Sequence, residues 1–176
     1  WTVLRLLTWT TDFLKSRASE SPRLDAEVLL AHARGCERIM LYAAFNQEVD
    51  DATRATFREL VKKRAEGVPV AYLVGKREFY SLVFRVTPDV LIPRPDTETL
   101  VENVLQLNRN AVGMESPRVL DLCTGSGCIA AAIAQNLKAS TVIATDISEK
   151  AVEVAKRNLD RLGLAAPALP AARRTG

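Results

Sequence analysis

The segment Asp121-Leu-Cys-Thr-Gly-Ser-Gly127 constrains the fold most, because it separates a short apolar run from an alanine-rich amphipathic run. Residues 119–122 predict a buried strand, and residues 129–137 predict a helix. A second strand is expected over residues 141–145, ending at Asp146, and Ser148 is placed to cap a further helix. The apolar stripe of that helix comprises Ala151, Val154, Ala155 and Leu159. Strand, glycine loop, helix, strand and helix in this order predict the opening of a parallel, doubly wound α/β sheet.

The preceding part of the chain predicts a small helical domain over residues 1–68. Ser21-Pro22 is typical of a helix start, and Gly35 of a helix stop. Asp50 or Asp51 can cap a later helix that Gly67 ends. The expected buried stripes are Val3, Leu6, Leu7, Phe13 and Leu14; Leu24, Val28 and Ala31; and Phe57, Leu60 and Val61.

Residues 69–95 predict a β-hairpin and a proline-rich linker between two domains. The β-branched and aromatic runs 72–74 and 79–86, broken by Gly75, are the expected strands. Two prolines in residues 91–96 exclude regular structure there, and Asp96 is expected to cap the next helix. Arg94 between these prolines is either an exposed linker residue or a residue that borders the ligand pocket.

Composition excludes several classes of protein. The 176 residues are 48% hydrophobic and 26% charged with a net charge of +3, typical of a globular chain. No run is long enough for a membrane span, and three cysteines do not make a disulfide framework, which favours a reducing, cytoplasmic setting. Cys123 and Cys128 lack the partners of a metal site and are expected to be packing residues. The cluster 62–64 is expected to be a solvated helix face rather than a nucleic-acid surface.

The glycine loop predicts recognition of a nucleoside. Its glycines allow close approach of the backbone to a ligand, and Asp146 at the tip of the next strand can accept both hydroxyls of a ribose. Residues 125–130 also satisfy the dinucleotide pattern G-x-G-x-x-A, so NAD is an alternative. Asp121 favours S-adenosylmethionine (SAM), because a carboxylate repels a pyrophosphate but attracts an ammonium and a sulfonium. A P-loop is excluded, since no Gly-Lys-Ser/Thr follows. A glycine turn in an α/β domain that binds no ligand is the remaining alternative.

Four segments resemble one family, the peptide chain release factor N5-glutamine methyltransferases (HemK/PrmC). They are Ser21 to His32, Pro69 to Phe79, Val90-Leu-Ile-Pro-Arg-Pro-Asp-Thr-Glu98, and the glycine loop with Asp146. The resemblance covers about residues 2–164, and its proline-rich segment is the most specific part. It implies a fold with a helical domain, a linking hairpin and the start of a Rossmann-like SAM-dependent methyltransferase domain over residues 96–164.

The resemblance also implies an activity, methylation of the glutamine amide in the Gly-Gly-Gln motif of class 1 release factors. The helical domain would bind the release factor, and the enzyme would act as a cytoplasmic monomer without nucleic acid or membrane. The SAM-binding residues would be Asp121, Cys123, Thr124, Gly125, Ser126, Gly127 and Asp146.

The family's Asn-Pro-Pro-Tyr substrate motif does not occur among the 176 residues, so no catalytic residue is assigned. Residues 165–176 form an anomalous tail, with no third strand expected there. These features suggest a C-terminally truncated enzyme with little or no activity, the alternative being a non-catalytic fragment that binds the release factor and SAM.

Overall fold

The computed structural model describes residues 1–17, 19–110, 116–164 and 166–170. The chain divides into two compact units, Trp1–Val74 and Gly75–Gly176. The first unit is helical and the second contains all the strands assigned in these described ranges.

The helical unit contains α1 (Val3–Lys15), α2 (Pro22–Arg34), α3 (Met40–Ala43), α4 (Asp51–Ala65) and α5 (Val70–Val74). The Asp50 side chain accepts a hydrogen bond from the Thr53 amide at 2.8 Å and so caps α4 as predicted. Gly35 ends α2 in the left-handed conformation, also as predicted. The core comprises Val3, Leu6, Leu7, Leu14, Ala26, Leu29, Leu30, Leu41, Val49, Phe57 and Val61.

The buried face of α2 agrees with the predicted one at Ala31, which is buried, but differs from it at Leu24. Leu24 is 45% exposed, whereas Glu27 is 3% exposed. The Glu27 carboxylate is held by Arg23 at 2.7 Å, by Arg38 at 3.2 Å and by the Tyr42 hydroxyl at 3.0 Å. A carboxylate can occupy a buried position once it is paired and hydrogen-bonded, so the polar residue rotates the buried face away from the simple apolar stripe.

The hairpin consists of β1 (Lys76–Phe79) and β2 (Leu82–Arg85), paired antiparallel. The strand predicted at residues 72–74 is wrong, because those residues end α5. Leu73 and Val74 instead pack against the helical core, and Gly75 follows with φ +71°. Phe79 and Phe84 are buried in the core of the second unit, so the hairpin is part of that unit rather than a free link.

The proline-rich linker leads into a 3-10 turn, Pro95–Thr97, and then α6 (Glu98–Asn110). The prediction that Asp96 caps this helix is wrong, since Asp96 lies inside the turn and the exposed Arg94 stands at its N-cap position. Pro95 accounts for this start, because its fixed φ suits the first position of a helical turn. The Glu98 carboxylate accepts a hydrogen bond from the Tyr80 amide at 2.9 Å, which ties α6 to the hairpin turn.

The sheet of the second unit is parallel, in the order β3 (Arg118–Leu122), β4 (Thr141–Asp146) and β5 (Ala168–Pro170). Helices α7 (Cys128–Asn136) and α8 (Glu149–Arg161) connect successive strands. The expectation of no third strand in the tail is wrong for residues 168–170. Pairing uses backbone groups, and a proline at the end of a short outer strand is tolerated, so a segment without periodicity can still form a strand.

The two faces of this sheet differ. Val142, Ala144 and Ala168 are buried in the core together with α7 and α8 residues. On the opposite face Leu120 pairs with Ile143, and Leu122 and Leu169 both pair with Thr145. Leu120, Leu122 and Leu169 are 59%, 67% and 47% exposed, so this second face is open.

Candidate cofactor-binding site

The glycine loop leaves the carboxyl end of β3 through a series of left-handed residues. Cys123, Gly125 and Gly127 have φ values of +60°, +56° and +80°. The Thr124 amide donates to the Thr145 carbonyl at 2.9 Å, and the Gly127 amide donates to the Thr124 carbonyl at 2.9 Å. The loop therefore turns tightly between β3 and β4 and directs the chain into α7, whose free N–H groups and positive dipole end favour negative partial charge.

Asp121 supports the loop from inside. Its Oδ2 accepts hydrogen bonds from the Thr124 hydroxyl at 2.6 Å and from the Ala130 amide at 3.3 Å. Burial raises the pKa of this carboxyl above its ordinary value and the nearby Asp146 charge adds to the rise, while the two hydrogen bonds oppose it. A desolvated carboxylate at this place attracts a cationic group strongly.

Asp146 lies at the carboxyl end of β4, beside the loop. Its Oδ2 accepts from the Gly125 amide at 2.9 Å, and its Oδ1 accepts from the Ser148 amide at 2.9 Å. Each carboxylate oxygen retains a further lone pair, so the group can still accept from ligand hydroxyls. An open surface depression lined by Ile147, Ser148, Glu149 and Lys150 adjoins this strand end. The two carboxylates thus stand at the carboxyl ends of neighbouring parallel strands, where α/β sheets bind ligands.

The two glycines differ in their surroundings. A β-carbon added at Gly125 would meet no atom within 4 Å, so this position borders open space. A β-carbon added at Gly127 would lie 3.2 Å from the Ala155 β-carbon on α8. Gly125 is consequently the position that a ligand can approach, and Gly127 is the position that allows the helices to pack.

The remaining predicted site residues differ in their exposure. Thr124 and Ser126 are 5% and 2% exposed, so their backbones rather than their side chains are what the loop can offer a ligand. Cys128 is buried as expected, and burial raises the pKa of its thiol. Cys123 is exposed, which contradicts the packing role predicted for it. Its left-handed backbone conformation directs this residue out of the core.

Asn158 on α8 is a residue that sequence reasoning missed. Its side chain is fully buried, and its amide donates to the Ser126 carbonyl at 2.8 Å. The same amide binds the backbone of Arg85 at the end of β2. The available signal was an asparagine next to Leu159 on the buried stripe of α8, because a buried amide needs partners.

The helical unit has a separate groove between α1 and α4, with a volume of about 820 Å³. Its apolar lining includes Trp9, Phe13, Phe57 and Val61. Its charged lining has four basic residues, Arg17, Arg54, Arg58 and Lys62, and two acidic ones, Asp51 and Glu66, of which Asp51 pairs with Arg54. Trp9 is 53% exposed and stacks on Phe13 with 5.3 Å between ring centroids. An exposed aromatic surface with basic residues suits an apolar side chain flanked by acidic ones.

Metal sites and membrane-spanning helices are both absent from the described ranges. No group of three or more His, Cys, Asp or Glu side chains there is arranged to hold a metal ion. No helix in the same ranges is long and apolar enough to cross a membrane.

Comparison with known proteins assigns both units. Residues 5–75 match the family model of the PrmC N-terminal domain, and residues 119–172 match a methyltransferase domain model. The chain is 56% identical over 165 residues to the release factor glutamine methyltransferase of Rhodopirellula baltica, covering 93% of this chain and 56% of the relative. It is 40% identical over 156 residues to that of Leptospira interrogans, covering 89% and 54%, and 48% identical over 147 residues to that of Burkholderia pseudomallei, covering 83% and 50%.

The chain belongs to the release factor glutamine methyltransferase family. It spans about half the length of these curated relatives. The PrmC N-terminal model covers the helical unit from residue 5 to its last residue, Val74, and the methyltransferase model begins within β3, immediately before the glycine loop. The family assignment thus rests on both units of the chain.

Proposed function

We propose that this chain is the SAM-holding and partner-holding part of an enzyme that methylates the glutamine side-chain amide of a class 1 peptide chain release factor. One observation carries the proposal: two carboxylates, Asp121 and Asp146, flank a left-handed glycine loop at the carboxyl ends of β3 and β4. The match of residues 119–172 to a methyltransferase domain supports the reaction class. The names of the relatives support the substrate.

The residues present fit SAM. Open space in front of Gly125 leaves room for a ligand against the loop backbone. Asp121 would attract the ammonium of the methionine part, the backbone from Cys123 to Gly127 would line the methionine and adenosine, and Asp146 would accept the ribose hydroxyls. When bound, SAM supplies an electrophilic methyl group on a sulfonium. The described residues would bind and orient that group.

The amide nitrogen of glutamine is a weak nucleophile, because its lone pair is delocalised into the carbonyl. Transfer therefore requires groups that position the NH2 and accept its hydrogens, and such positioning supplies much of the rate. In the family that the sequence resembles, an Asn-Pro-Pro-Tyr motif does this. The motif is absent from these 176 residues. We therefore propose that the chain by itself binds SAM and the release factor without turnover.

We propose that the helical unit holds the release factor in the groove between α1 and α4. Its aromatic lining would receive an apolar anchor, and Arg17, Arg58 and Lys62 would face acidic residues beside that anchor. Arg64 of the basic cluster instead pairs with Asp25 at 2.7 Å. Lys62 and Lys63 of this cluster remain exposed. The names of the relatives support a protein partner. We also propose that the protein is a cytoplasmic monomer that binds no membrane, and three free thiols support a reducing setting.

Incubation of the chain with labelled SAM and a purified release factor carrying Gly-Gly-Gln tests the proposal. We expect saturable binding of SAM and of the release factor, and no label on the glutamine. Label transfer would contradict the claim that the amide-positioning groups lie outside these residues. Binding of NAD without binding of SAM would contradict the methyltransferase assignment and favour an oxidoreductase.

A matched pair of variants tests the groove. Arg58 and Lys63 are both exposed and both lie on α4, but only Arg58 lines the groove. We expect Arg58→Glu to weaken release-factor binding and Lys63→Glu, with the same change of charge, to leave it nearly unchanged. Equal effects of the two variants would contradict the docking surface without bearing on SAM binding.

A further inference from the structure

The side chain of Asn158 satisfies both its amide hydrogens and its carbonyl inside the second unit. Nδ2 donates to the Ser126 carbonyl at 2.8 Å and to the Arg85 carbonyl at 2.9 Å. Oδ1 accepts from the Arg85 amide at 2.8 Å. Both N–H donors of the Asn158 side chain are therefore used. The backbone amide and carbonyl of Arg85 bind this side chain as they would bind a neighbouring strand.

These bonds join three segments that are distant in the sequence. Asn158 lies on α8, Arg85 ends β2 of the hairpin, and Ser126 lies between the two glycines of the loop. Asn158 and Ser126 are 0% and 2% exposed, so water does not compete freely for these bonds. An unpaired buried amide or carbonyl would be costly here, which makes the arrangement specific.

The bond to Ser126 fixes the most deformable part of the loop. Gly125 and Gly127 on either side have left-handed φ values, and glycine has the widest choice of backbone conformations. Any freedom of these peptides in the unbound protein must be lost when a ligand binds against them, which lowers affinity. A carbonyl held between the two glycines removes part of that freedom in advance.

We propose that Asn158 is a positioning residue of the cofactor site, which holds the glycine loop in its binding conformation and couples it to the hairpin. The proposal rests on the proposed binding of SAM to this loop. Asn158 acts through the Ser126 carbonyl. The hairpin is the second element whose order depends on the loop, because Arg85 binds the same side-chain amide of Asn158.

Two variants and one control test this inference in the full chain. Asn158→Ala removes all three bonds. Asn158→Asp retains an acceptor for the Arg85 amide but directs an acceptor at two carbonyls. Leu159→Ala is the control, since Leu159 is the next residue on α8, is 2% exposed, contributes to the core and has no side-chain group that could hydrogen-bond the loop carbonyl. The control destabilises the same helix through a cavity.

The measurement is the SAM dissociation constant by calorimetry, at a temperature where circular dichroism shows every variant fully folded. We expect Asn158→Ala and Asn158→Asp to raise it roughly tenfold or more, and Leu159→Ala to change it less than about threefold. Equal dissociation constants for all three variants and the unmodified chain would overturn the inference. If the unmodified chain does not bind SAM, the proposed function fails, and this inference fails with it.

Hydrogen exchange on the unmodified chain provides a test that needs no variant to fold. Saturating SAM is expected to slow exchange of the Arg85 amide together with that of the Gly125 and Gly127 amides. Slower exchange in the loop with an unchanged rate at Arg85 would show SAM binding without the coupling. That result would overturn the inference and leave the proposed function standing.

Discussion

A β-carbon at Gly127 would lie 3.2 Å from the β-carbon of Ala155, so the glycine loop packs on α8 so closely that a methyl group there would require its neighbour to shift by a few tenths of an ångström. We expect Gly127→Ala to lower the free energy of unfolding by about 1–3 kcal/mol, because it combines a left-handed alanine with a steric overlap. Thermal denaturation of the purified chain checks this value. An unchanged melting temperature would show that α8 can move to admit the methyl group.

Gly125→Ala is expected to act mainly on ligand binding. Its φ of +56° makes alanine unfavourable by about 1–2 kcal/mol, but no atom stands within 4 Å of the new methyl group. That methyl group would occupy the space in front of the loop and weaken SAM binding roughly tenfold or more. Calorimetric titration of both glycine variants separates the effects, and a greater loss of affinity for Gly127→Ala would reverse the roles assigned to them.

Asp121→Asn is expected to affect the stability of the chain and its binding of SAM in different ways. Burial, the largest cause, raises the pKa of Asp121 in the folded chain above its unfolded value. The folded state then holds this proton more tightly, so stability falls as pH rises through the interval between the two pKa values. Burial disfavours the charged form of this carboxyl in the folded state, whereas the amide of asparagine is neutral and its oxygen can still accept from Thr124 and Ala130.

For Asp121→Asn we therefore expect equal or higher thermal stability at pH 7, with a difference that shrinks toward pH values below about 4. SAM affinity should fall roughly tenfold or more, because attraction for the ammonium is lost. Melting curves across pH and calorimetry at pH 7 measure the two effects. A melting temperature below that of the unmodified chain at pH 7, or an undiminished affinity for SAM, would contradict this account.

Local signals predicted much of the fold and the places in it of the candidate site residues. Ser148 caps α8 as predicted, accepting from the Ala151 amide at 3.3 Å, and all four residues of the α8 stripe are buried. Such features depend on residues within one helical turn of each other. The positions of the glycine loop, which follows β3, and of Asp146, the last residue of β4, were predictable for the same reason, since each is set by its own strand.

What could not be predicted depends on distant partners. The strand Ala168–Pro170 exists through backbone pairing with β4, which leaves no pattern in its side chains. Asn158 gains its role from Arg85 and Ser126, 73 and 32 residues away. Residues 70–74 are helical because their apolar side chains pack on the helical core, and this context overrides their β-branched character.

Glu27 is expected to be the most sensitive charged residue of the helical unit. It is 3% exposed and bound by Arg23, Arg38 and Tyr42. Its partners Arg23, Arg38 and Tyr42 are 41%, 51% and 45% exposed and can be rehydrated, so Glu27→Ala should cost about 1–3 kcal/mol of unfolding free energy through the lost hydrogen bonds and packing. Urea denaturation measures the loss.

Glu153→Ala is the matched control for Glu27→Ala. Glu153 pairs with Arg157 on the exposed face of α8, and both side chains are more than half exposed. Removal of an exposed helical pair should cost about 0.3–0.5 kcal/mol. Equal losses for the two variants would show that the Glu27 cluster contributes no more than a surface pair.

The open face of the parallel sheet predicts the behaviour of this chain in solution. Leu120 and Leu122 are 59% and 67% exposed on neighbouring positions of one face of β3. Parallel sheets are ordinarily covered on both faces, so exposed leucines here should bind apolar dyes and other copies at high concentration. Thr at both positions introduces a β-branched side chain, which suits a strand, while removing apolar surface.

We expect the double variant Leu120→Thr, Leu122→Thr to show lower fluorescence of a bound anilinonaphthalene sulfonate dye and less association in sedimentation velocity at high concentration. Its SAM affinity should stay within about threefold of the unmodified chain, because Asp121, between the two leucines, is buried on the opposite face. The substitution Leu107→Thr on α6 is the control, since Leu107 is 70% exposed but lies away from the sheet. If Leu107→Thr reduces dye binding and association as strongly as the double variant, the open sheet face is not their source.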